Sequence, residues 1–157
     1  MKIEIAKYNP EWPAIFDRLS NELHGLIGDM KPEIEHIGST SVPGLPAKPI
    51  IDILVGLPDE YLPEQCVDPL TRAGYVYYEK YNVEMPYRRF FVKLKDANVI
   101  PAFPVIIRRN DEVPDHISVH DNRLAHIHIL SRTSEHWTRH IAFRSYWLAH
   151  QAVVAAY

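Results

Sequence analysis

The sequence predicts an α+β fold in which helices flank a mixed β-sheet. Strand-like and helix-like segments follow the order strand, helix, two strands, helix, three strands, helix, and this incomplete alternation favours a mixed sheet over a doubly wound parallel one. The 157 residues fit one domain, and 46% hydrophobic with 24% charged residues is a globular composition. These values exclude a disordered, collagen-like or coiled-coil chain. We therefore predict a single domain over residues 1–157.

The first two elements are predicted by alternation and by helical spacing. Ile3 and Ile5 alternate with polar neighbours, which is typical of a short strand. Asn9 as N-cap and Pro10 at the first helical position precede apolar residues at intervals of three and four. This pattern predicts an amphipathic helix that ends near Gly28.

The remaining elements follow from apolar runs and from the breakers between them. Residues 49–55, PIIDILV, are nearly continuous in apolar side chains and predict a buried strand. Residues 95–123 show little periodicity apart from VII at 105–107, so we predict a long ordered excursion. The other predicted elements are strands at 34–38, 75–80, 88–94 and 124–130, a helix at about 60–73, and a helix capped by Ser134.

Charge and cysteine content limit the partners and the location. The net charge is -3 and the isoelectric point is near 6.3, which argues against general nucleic-acid or anionic-membrane binding. No run approaches 18 apolar residues, so no membrane helix is expected. The lone Cys66 and the lack of an apolar leader predict a cytoplasmic protein that meets its partners in solution, in an oligomeric state that stays open.

The loop after residues 34–38 has the composition of a phosphate-binding turn. Gly38 allows a tight turn directly after a strand, and the hydroxyls of Ser39, Thr40 and Ser41 could hold phosphate oxygens together with loop amides. Lys48 adds a cation close by. The alternative is an ordinary proline-rich turn without a ligand.

Asp52 lies on the strand that follows this loop. A carboxylate at that place could hold a Mg²⁺ ion that bridges phosphate oxygens. The alternative is a carboxylate that bonds only to backbone. A phosphate at the loop and a metal at the strand would together form a nucleotide site.

Two histidines can complete such a site. His126 and His128 are two residues apart and therefore project from one face of their strand. If that strand neighbours residues 49–55, both imidazoles and Asp52 could converge, and such a set suits Zn, Mn or Fe. The pair could instead contact phosphate, act as acid and base, or have no ligand. Glu35 and His36 flank the loop and are predicted to support it.

Residues 35–55, EHIGSTSVPGLPAKPIIDILV, resemble the signature of the GrpB family. The resemblance extends to the aromatic amino-terminal helix, to the HIH strand and to FRSY at 143–146, but not to about 95–123. It implies a fold similar to that of the nucleotidyltransferase superfamily. There a Gly-Ser turn precedes a strand with metal-binding acids, and Gly38, Ser39 and Asp52 match those positions.

The chain departs from that superfamily's pattern at one point. Active members carry two acids two residues apart on one strand face. Here the positions two before and two after Asp52 are Ile50 and Leu54. The strand therefore offers one carboxylate where a two-metal site uses two. Arg144 in FRSY could point at a phosphate or at a carboxylate such as Asp52, and the alternative is an ordinary surface ion pair.

Three functions are compatible with these residues. The first is a nucleotidyltransferase-like protein that binds a nucleotide or another phosphate-bearing ligand with Mg²⁺ or Mn²⁺ and transfers a nucleotidyl group to an acceptor. The second is a non-catalytic module of the same fold that binds a nucleotide or a partner. The third is a metal-dependent hydrolase built on Asp52, His126 and His128.

Overall fold

The computed structural model describes residues 5–96, 105–113 and 122–150, and it confirms the mixed α+β fold. The six strands form one sheet in the order β1-β2-β6-β4-β3-β5. The helices of the described residues are α1 (Trp12–Ile27), α2 (Val67–Arg72) and α3 (Glu135–Ala149), and the strands are β1 (Glu33–Ile37), β2 (Ile51–Leu57), β3 (Val76–Tyr77), β4 (Arg88–Leu94), β5 (Val105–Ile106) and β6 (Arg123–Ser131).

The two central strands explain the apolar character of residues 49–55. β2 pairs in parallel with β6 and antiparallel with β1, so its backbone is bonded on both sides. Every residue of β2 is buried except Asp52, which is half-buried. A strand covered on both faces consists of apolar residues. A carboxylate at its centre is therefore the exception that a site would explain.

One face of the sheet forms the main core under α1 and α2. Leu23 and Ile27 of α1 pack with Ile53 of β2 and Ile127 of β6, and all four are fully buried. Cys66 is a buried free thiol in the same cluster, and burial raises its pKa to about 12. No helix in the described part of the chain is both long and apolar enough to cross a bilayer.

The opposite face is covered only in part. Trp137 of α3 packs with Ile37, Leu54 and Leu130 at one end. A separate apolar cluster lies at the part of this face formed by β4, β3 and β5, and it contains Val76, Tyr78, Phe90, Val92, Leu94 and Ile107. Because side chains alternate along a strand, Asp52, His126 and His128 project from this face.

The amino-terminal predictions need two corrections. Ile3 lies outside the described residues, and the predicted first strand is reduced to an isolated bridge between Ala6 and Ala47. The first helix begins at Trp12, because the Asn9 side chain accepts a hydrogen bond from the Glu11 amide (2.9 Å) in a turn that precedes the helix.

Two predicted elements in the middle of the chain are shorter than expected. The helix predicted at about 60–73 splits into a 3-10 turn at Pro63–Cys66 and the six residues of α2. The strand predicted at 75–80 retains only β3, since the chain turns at Glu79–Tyr81. Pro63 and Pro69 explain the split, because proline is tolerated only in the first turn of a helix and each of the two segments has one there.

Three further segments can be compared with the structure. The first two residues of the VII run, for which no strand was predicted, form β5, which pairs in parallel with β3. Ser134 does cap α3, since its hydroxyl accepts a hydrogen bond from the His136 amide (3.2 Å). Residues 97–104 and 114–121 of the predicted excursion, and the apolar end at 151–157, lie outside the described residues.

Gly56 gives the first test of the packing between β2 and α3. A Cβ at this position would lie 2.7 Å from the Trp137 ring and would also meet the Arg132 side chain. We expect Gly56→Ala to lower the free energy of unfolding by about 1–3 kcal/mol in urea denaturation, because overpacking displaces the ring. Gly25→Ala is the control: its Cβ meets nothing within 4 Å in α1. It should raise stability by about 1 kcal/mol. Equal effects of the two substitutions would contradict this packing.

Candidate functional site

The site is centred on the carboxylate of Asp52. Asp52 and His126 are register partners on the parallel strands β2 and β6, and His128 follows two residues along. Asp52 Oδ1 lies 3.5 Å from His126 Nδ1 and 3.5 Å from His128 Nε2. The sequence predicts that these three side chains converge if their two strands are neighbours. The structure meets this condition, since β2 and β6 pair directly.

Two arginines fix the protonation of the histidine pair. Arg123 donates to His126 Nε2 (3.1 Å), and Arg88 of β4 donates to His128 Nδ1. A guanidinium can only donate, so each of these ring nitrogens accepts and the other nitrogen carries the proton. Both imidazoles therefore present an N–H group to Asp52.

Electrostatics keeps this carboxylate ionised. Burial on its own would raise the pKa of Asp52, but hydrogen bonds from His126 and His128 outweigh burial and hold that pKa well below its usual range. Burial lowers the pKa of His128, and Arg88 lowers it further against the opposing effect of Asp52. The result at neutral pH is a negative Asp52 beside a neutral His128.

Gly38 allows the loop to approach Asp52 closely. Its φ is 74°, in the left-handed region that favours glycine. A Cβ at this position would lie 2.7 Å from Asp52 Oδ2. The following residues, Ser39–Ser41, form a 3-10 turn. The Gly-Ser element therefore places its backbone against the carboxylate because no side chain intervenes.

The three hydroxyls of the turn have different roles. Ser41 donates to the carbonyl of Gly38 (2.6 Å), and buried Thr40 shares a hydrogen bond of 2.9 Å with His36 Nε2. These two hydroxyls therefore order the loop. Ser39 is exposed and lines two neighbouring cavities, which makes it the hydroxyl best placed for a ligand.

His36 supports the loop as a neutral residue. Burial lowers the pKa of its imidazole to about 4, with Asp52 opposing this effect and Arg144 adding to it. Its ring stacks on Phe16 of α1, with centroids 4.9 Å apart. His36 therefore links the turn to the helix behind it.

Arg144 contacts Glu35 rather than Asp52. Its Nη1 lies 2.8 Å from Glu35 Oε2 and 3.1 Å from the carbonyl oxygen of His36. Glu35 projects from the same face as Asp52, because it pairs with Leu54 across β1 and β2. This ion pair holds α3 against β1, so Arg144 and Glu35 both help to shape the site.

Cavities lie on both sides of Asp52. A small one of about 110 Å³ is bordered by Ser39, Lys48, Asp52 and His126. The larger, a cleft of about 600 Å³, is bordered by Asp52 and His128 and by residues of α3: His136, Arg139, His140 and Phe143. Asp52 is thus shared by a small polar cavity and a wide cleft.

Sequence reasoning missed the arginines behind the histidine pair. Arg88, Arg89 and Lys93 all lie on β4, but alternation separates them: Arg88 faces His128, whereas Arg89 and Lys93 pair with Glu64 and Glu22 on the other face. β4 also lies inside the sheet, between β6 and β3, and not at its edge. Strand register, which no local pattern reveals, decides these contacts.

Two histidines of α3, four residues apart, border the wide cleft: His136 is half-buried and His140 is exposed. His136 stacks on Tyr87 with ring centroids 3.5 Å apart, and His140 lies 6.4 Å from the ring of His128. Burial is the main cause that lowers the pKa of His140. The signal was their spacing of four residues, with Arg139 and Phe143 on the same helical face.

The donor set fits one kind of metal site better than another. No group of three or more His, Cys, Asp or Glu side chains is arranged to hold a metal ion within residues 5–96, 105–113 and 122–150. The hydrogen bonds from Arg88 and Arg123 leave N–H groups of His128 and His126, and not lone pairs, facing Asp52. A resident Zn²⁺ on these three residues does not fit. Mg²⁺ fits, since it commonly binds one or two carboxylates plus substrate phosphates.

Comparison with known proteins identifies the family. The family model described as "GrpB protein" matches residues 2–157. The chain belongs to the GrpB family. It is similar to the crystal structure of conserved protein GrpB from Enterococcus faecalis, with a TM-score of 0.70, 29% identity and coverage of 98% of this chain and 78% of that one. The resemblance drawn from residues 35–55 is thereby confirmed.

Relatives from bacteria show how much of the chain is matched. Glutamate-rich protein GrpB of Alkalihalophilus pseudofirmus is 27% identical over 99% of this chain and 77% of its own length. A UPF0157 protein of Halalkalibacterium halodurans is 44% identical over 46% of this chain and only 37% of its own length. A dephospho-CoA kinase of Mycolicibacterium paratuberculosis is 36% identical over 46% of this chain and 19% of that protein.

Proposed function

We propose that this GrpB protein binds a nucleotide, or another phosphate-bearing small molecule, together with a divalent metal ion at Asp52. The observation that carries the proposal is the position of one ionised carboxylate between two cavities, directly beside the Gly38 turn. Ser39 and Lys48 border the smaller cavity with it. Hydroxyl and ammonium groups donate to phosphate oxygens, and a metal ion held by a carboxylate binds them directly.

Asp52 would hold Mg²⁺ or Mn²⁺ jointly with the ligand's phosphates. The metal would supply charge neutralisation for the phosphate oxygens. His126 and His128 would hold the carboxylate in place through their N–H groups, while Arg123 and Arg88 keep those protons on the nitrogens that face it. The histidines are thus positioning groups for Asp52 and not metal ligands.

Binding without turnover is the function that the geometry supports best. A carboxylate whose pKa is far below 7 is a weak general base. The positions where a second strand acid would stand hold Ile50 and Leu54. A metal-dependent hydrolase built on Asp52, His126 and His128 is disfavoured, because both histidines turn N–H groups and not lone pairs toward Asp52.

Nucleotidyl transfer is the second candidate, favoured by the wide cleft. The 600 Å³ cleft opens on the His128 side of Asp52, opposite the small cavity, and has the volume of a pocket for a small molecule. An acceptor bound there would meet Asp52 from the other side. Its neighbours His136, Arg139 and His140 would suit an anionic acceptor.

The name of one relative guides the choice of ligands. Dephospho-CoA, which the mycobacterial protein's name gives as its substrate, contains a nucleotide. The match covers 19% of that kinase, so its activity can lie elsewhere in that chain. Dephospho-CoA nevertheless belongs beside the four ribonucleoside triphosphates in a binding screen.

Thermal shift measurements test the proposal. ATP, GTP, CTP, UTP and dephospho-CoA, each with Mg²⁺ or Mn²⁺, should include at least one pair that raises the melting temperature, and chelation of the metal should reverse the rise. Asp52→Asn should remove the shift. The matched control is Asp68→Asn, since Asp68 is an exposed carboxylate on α2 across the sheet. No shift with any pair, or an equal shift in Asp52→Asn, would contradict the proposal.

A further inference from the structure

A third cavity adjoins the turn at Gly38. It has a volume of about 210 Å³ and lies between the loop at residues 42–46 and the carboxyl-terminal half of α3. Ser39 borders both this cavity and the small cavity at Asp52, and Gly38 borders both this cavity and the wide cleft. A ligand whose phosphates contact Ser39 would therefore reach this cavity with its next chemical group.

The walls of this cavity are aromatic and apolar. Phe143 and Trp147 of α3 border it with Pro46, and Trp147 packs on buried Val42 and Leu45. Phe143 is 64% exposed although its ring lies at the cavity. Pockets for small molecules are typically lined by apolar and aromatic side chains with a few polar groups. The cavity is smaller than the roughly 300–1,000 Å³ of pockets for whole ligands, so it suits one ring system.

Arg144 gives the cavity a rigid polar wall. Its guanidinium borders the cavity while Nη1 is fixed by Glu35 and by the carbonyl of His36. A fixed planar cation offers both stacking and hydrogen-bond donors to a heteroaromatic ring. Purine and pyrimidine rings carry acceptors at their edges and a π-face for stacking.

We propose that this cavity is the subsite for the nucleobase, with Phe143 and Trp147, whose rings meet edge to face 6.2 Å apart, as its aromatic walls. This inference rests on the proposed function and adds the part of the ligand that determines affinity beyond the phosphates. The base lies between α3 and the loop at 42–46, and the phosphates extend across Ser39 toward Asp52. The ligand is thus a nucleotide rather than a phosphate of another kind.

Isothermal titration with two probes separates the subsite from the phosphate site. The probes are the nucleoside triphosphate that gives the largest thermal shift and inorganic tripolyphosphate, both with Mg²⁺. We expect the nucleotide to bind at least about tenfold more tightly, because base stacking on aromatic side chains is a substantial part of such affinities. Phe143→Ala should weaken nucleotide binding at least about fivefold and leave tripolyphosphate binding within about twofold.

The controls keep the outcomes distinct. Trp147→Leu repeats the test at the second ring, and Tyr146→Ala, on the same helix but outside the cavity, should bind both probes like the unmodified protein. Equal affinity for the two probes, or unchanged nucleotide binding in both cavity variants, would overturn the subsite and leave the phosphate site standing. Weakening by Tyr146→Ala equal to that by Phe143→Ala would also overturn it. Binding of neither probe would overturn the proposed function itself.

Discussion

Asp52→Asn is expected to abolish metal-dependent ligand binding and to lower the free energy of unfolding by about 1–3 kcal/mol. The amide cannot accept from both histidines with a full charge, so the N–H groups of His126 and His128 lose their ionised acceptor. The metal loses the one strand carboxylate available to it. Urea denaturation and titration with Mg²⁺ and nucleotide measure the two effects separately.

The stability difference between the protein and Asp52→Asn should depend on pH. The pKa of Asp52 is lowered in the folded state, so its ionised form stabilises the fold fully above the pKa of an unfolded aspartate, about 3.9. This contribution is lost as pH falls through the folded-state pKa. The contribution of the carboxylate itself should shrink below about pH 4. A difference that grows toward acid pH would contradict the hydrogen-bonded carboxylate.

Gly38→Ala is expected to have a comparable effect through geometry alone. The new Cβ would lie 2.7 Å from Asp52 Oδ2 at a φ of 74°. The left-handed backbone and the overpacking together should lower stability by about 2–4 kcal/mol. Displacement of the carboxylate should also remove ligand binding. Urea denaturation and thermal shift with the metal–nucleotide pair measure these losses.

Gly44→Ala separates the two causes. Gly44 lies in the same loop with a φ of 84°, and it is exposed. Its substitution should cost only the backbone strain, about 1–2 kcal/mol, and retain ligand binding. If Gly44→Ala and Gly38→Ala destabilised the protein equally and both still bound ligand, the close approach of the turn to Asp52 would have no functional role.

The sequence predicted the parts of this site that local patterns control. The apolar run around Asp52 predicted a buried central strand, and the spacing of His126 and His128 placed both rings on one face. The Gly-Ser turn followed from composition. These features depend on neighbours in sequence, so a linear pattern contains them.

The parts that the sequence did not predict depend on register and packing. Arg88 meets His128 only because β4 pairs antiparallel with β6 with Phe90 opposite His128. His140 lies near His128 because of the way α3 crosses the sheet. The spacing of residues within α3 does not predict that crossing. Thr40 and Ser41 were predicted to hold phosphate oxygens. In the structure their hydroxyls bond to His36 and to the Gly38 carbonyl, contacts that depend on how the loop folds.

Paramagnetic relaxation in NMR tests the central claim most directly. Mn²⁺ added together with the bound nucleotide should broaden the backbone amide signals of Gly38, Ser39, Asp52 and His126, and those of α2 across the sheet should stay sharp. Asp52→Asn should restore the broadened signals. Broadening centred anywhere else in the chain, or none at saturating nucleotide, would contradict a metal–phosphate site at Asp52.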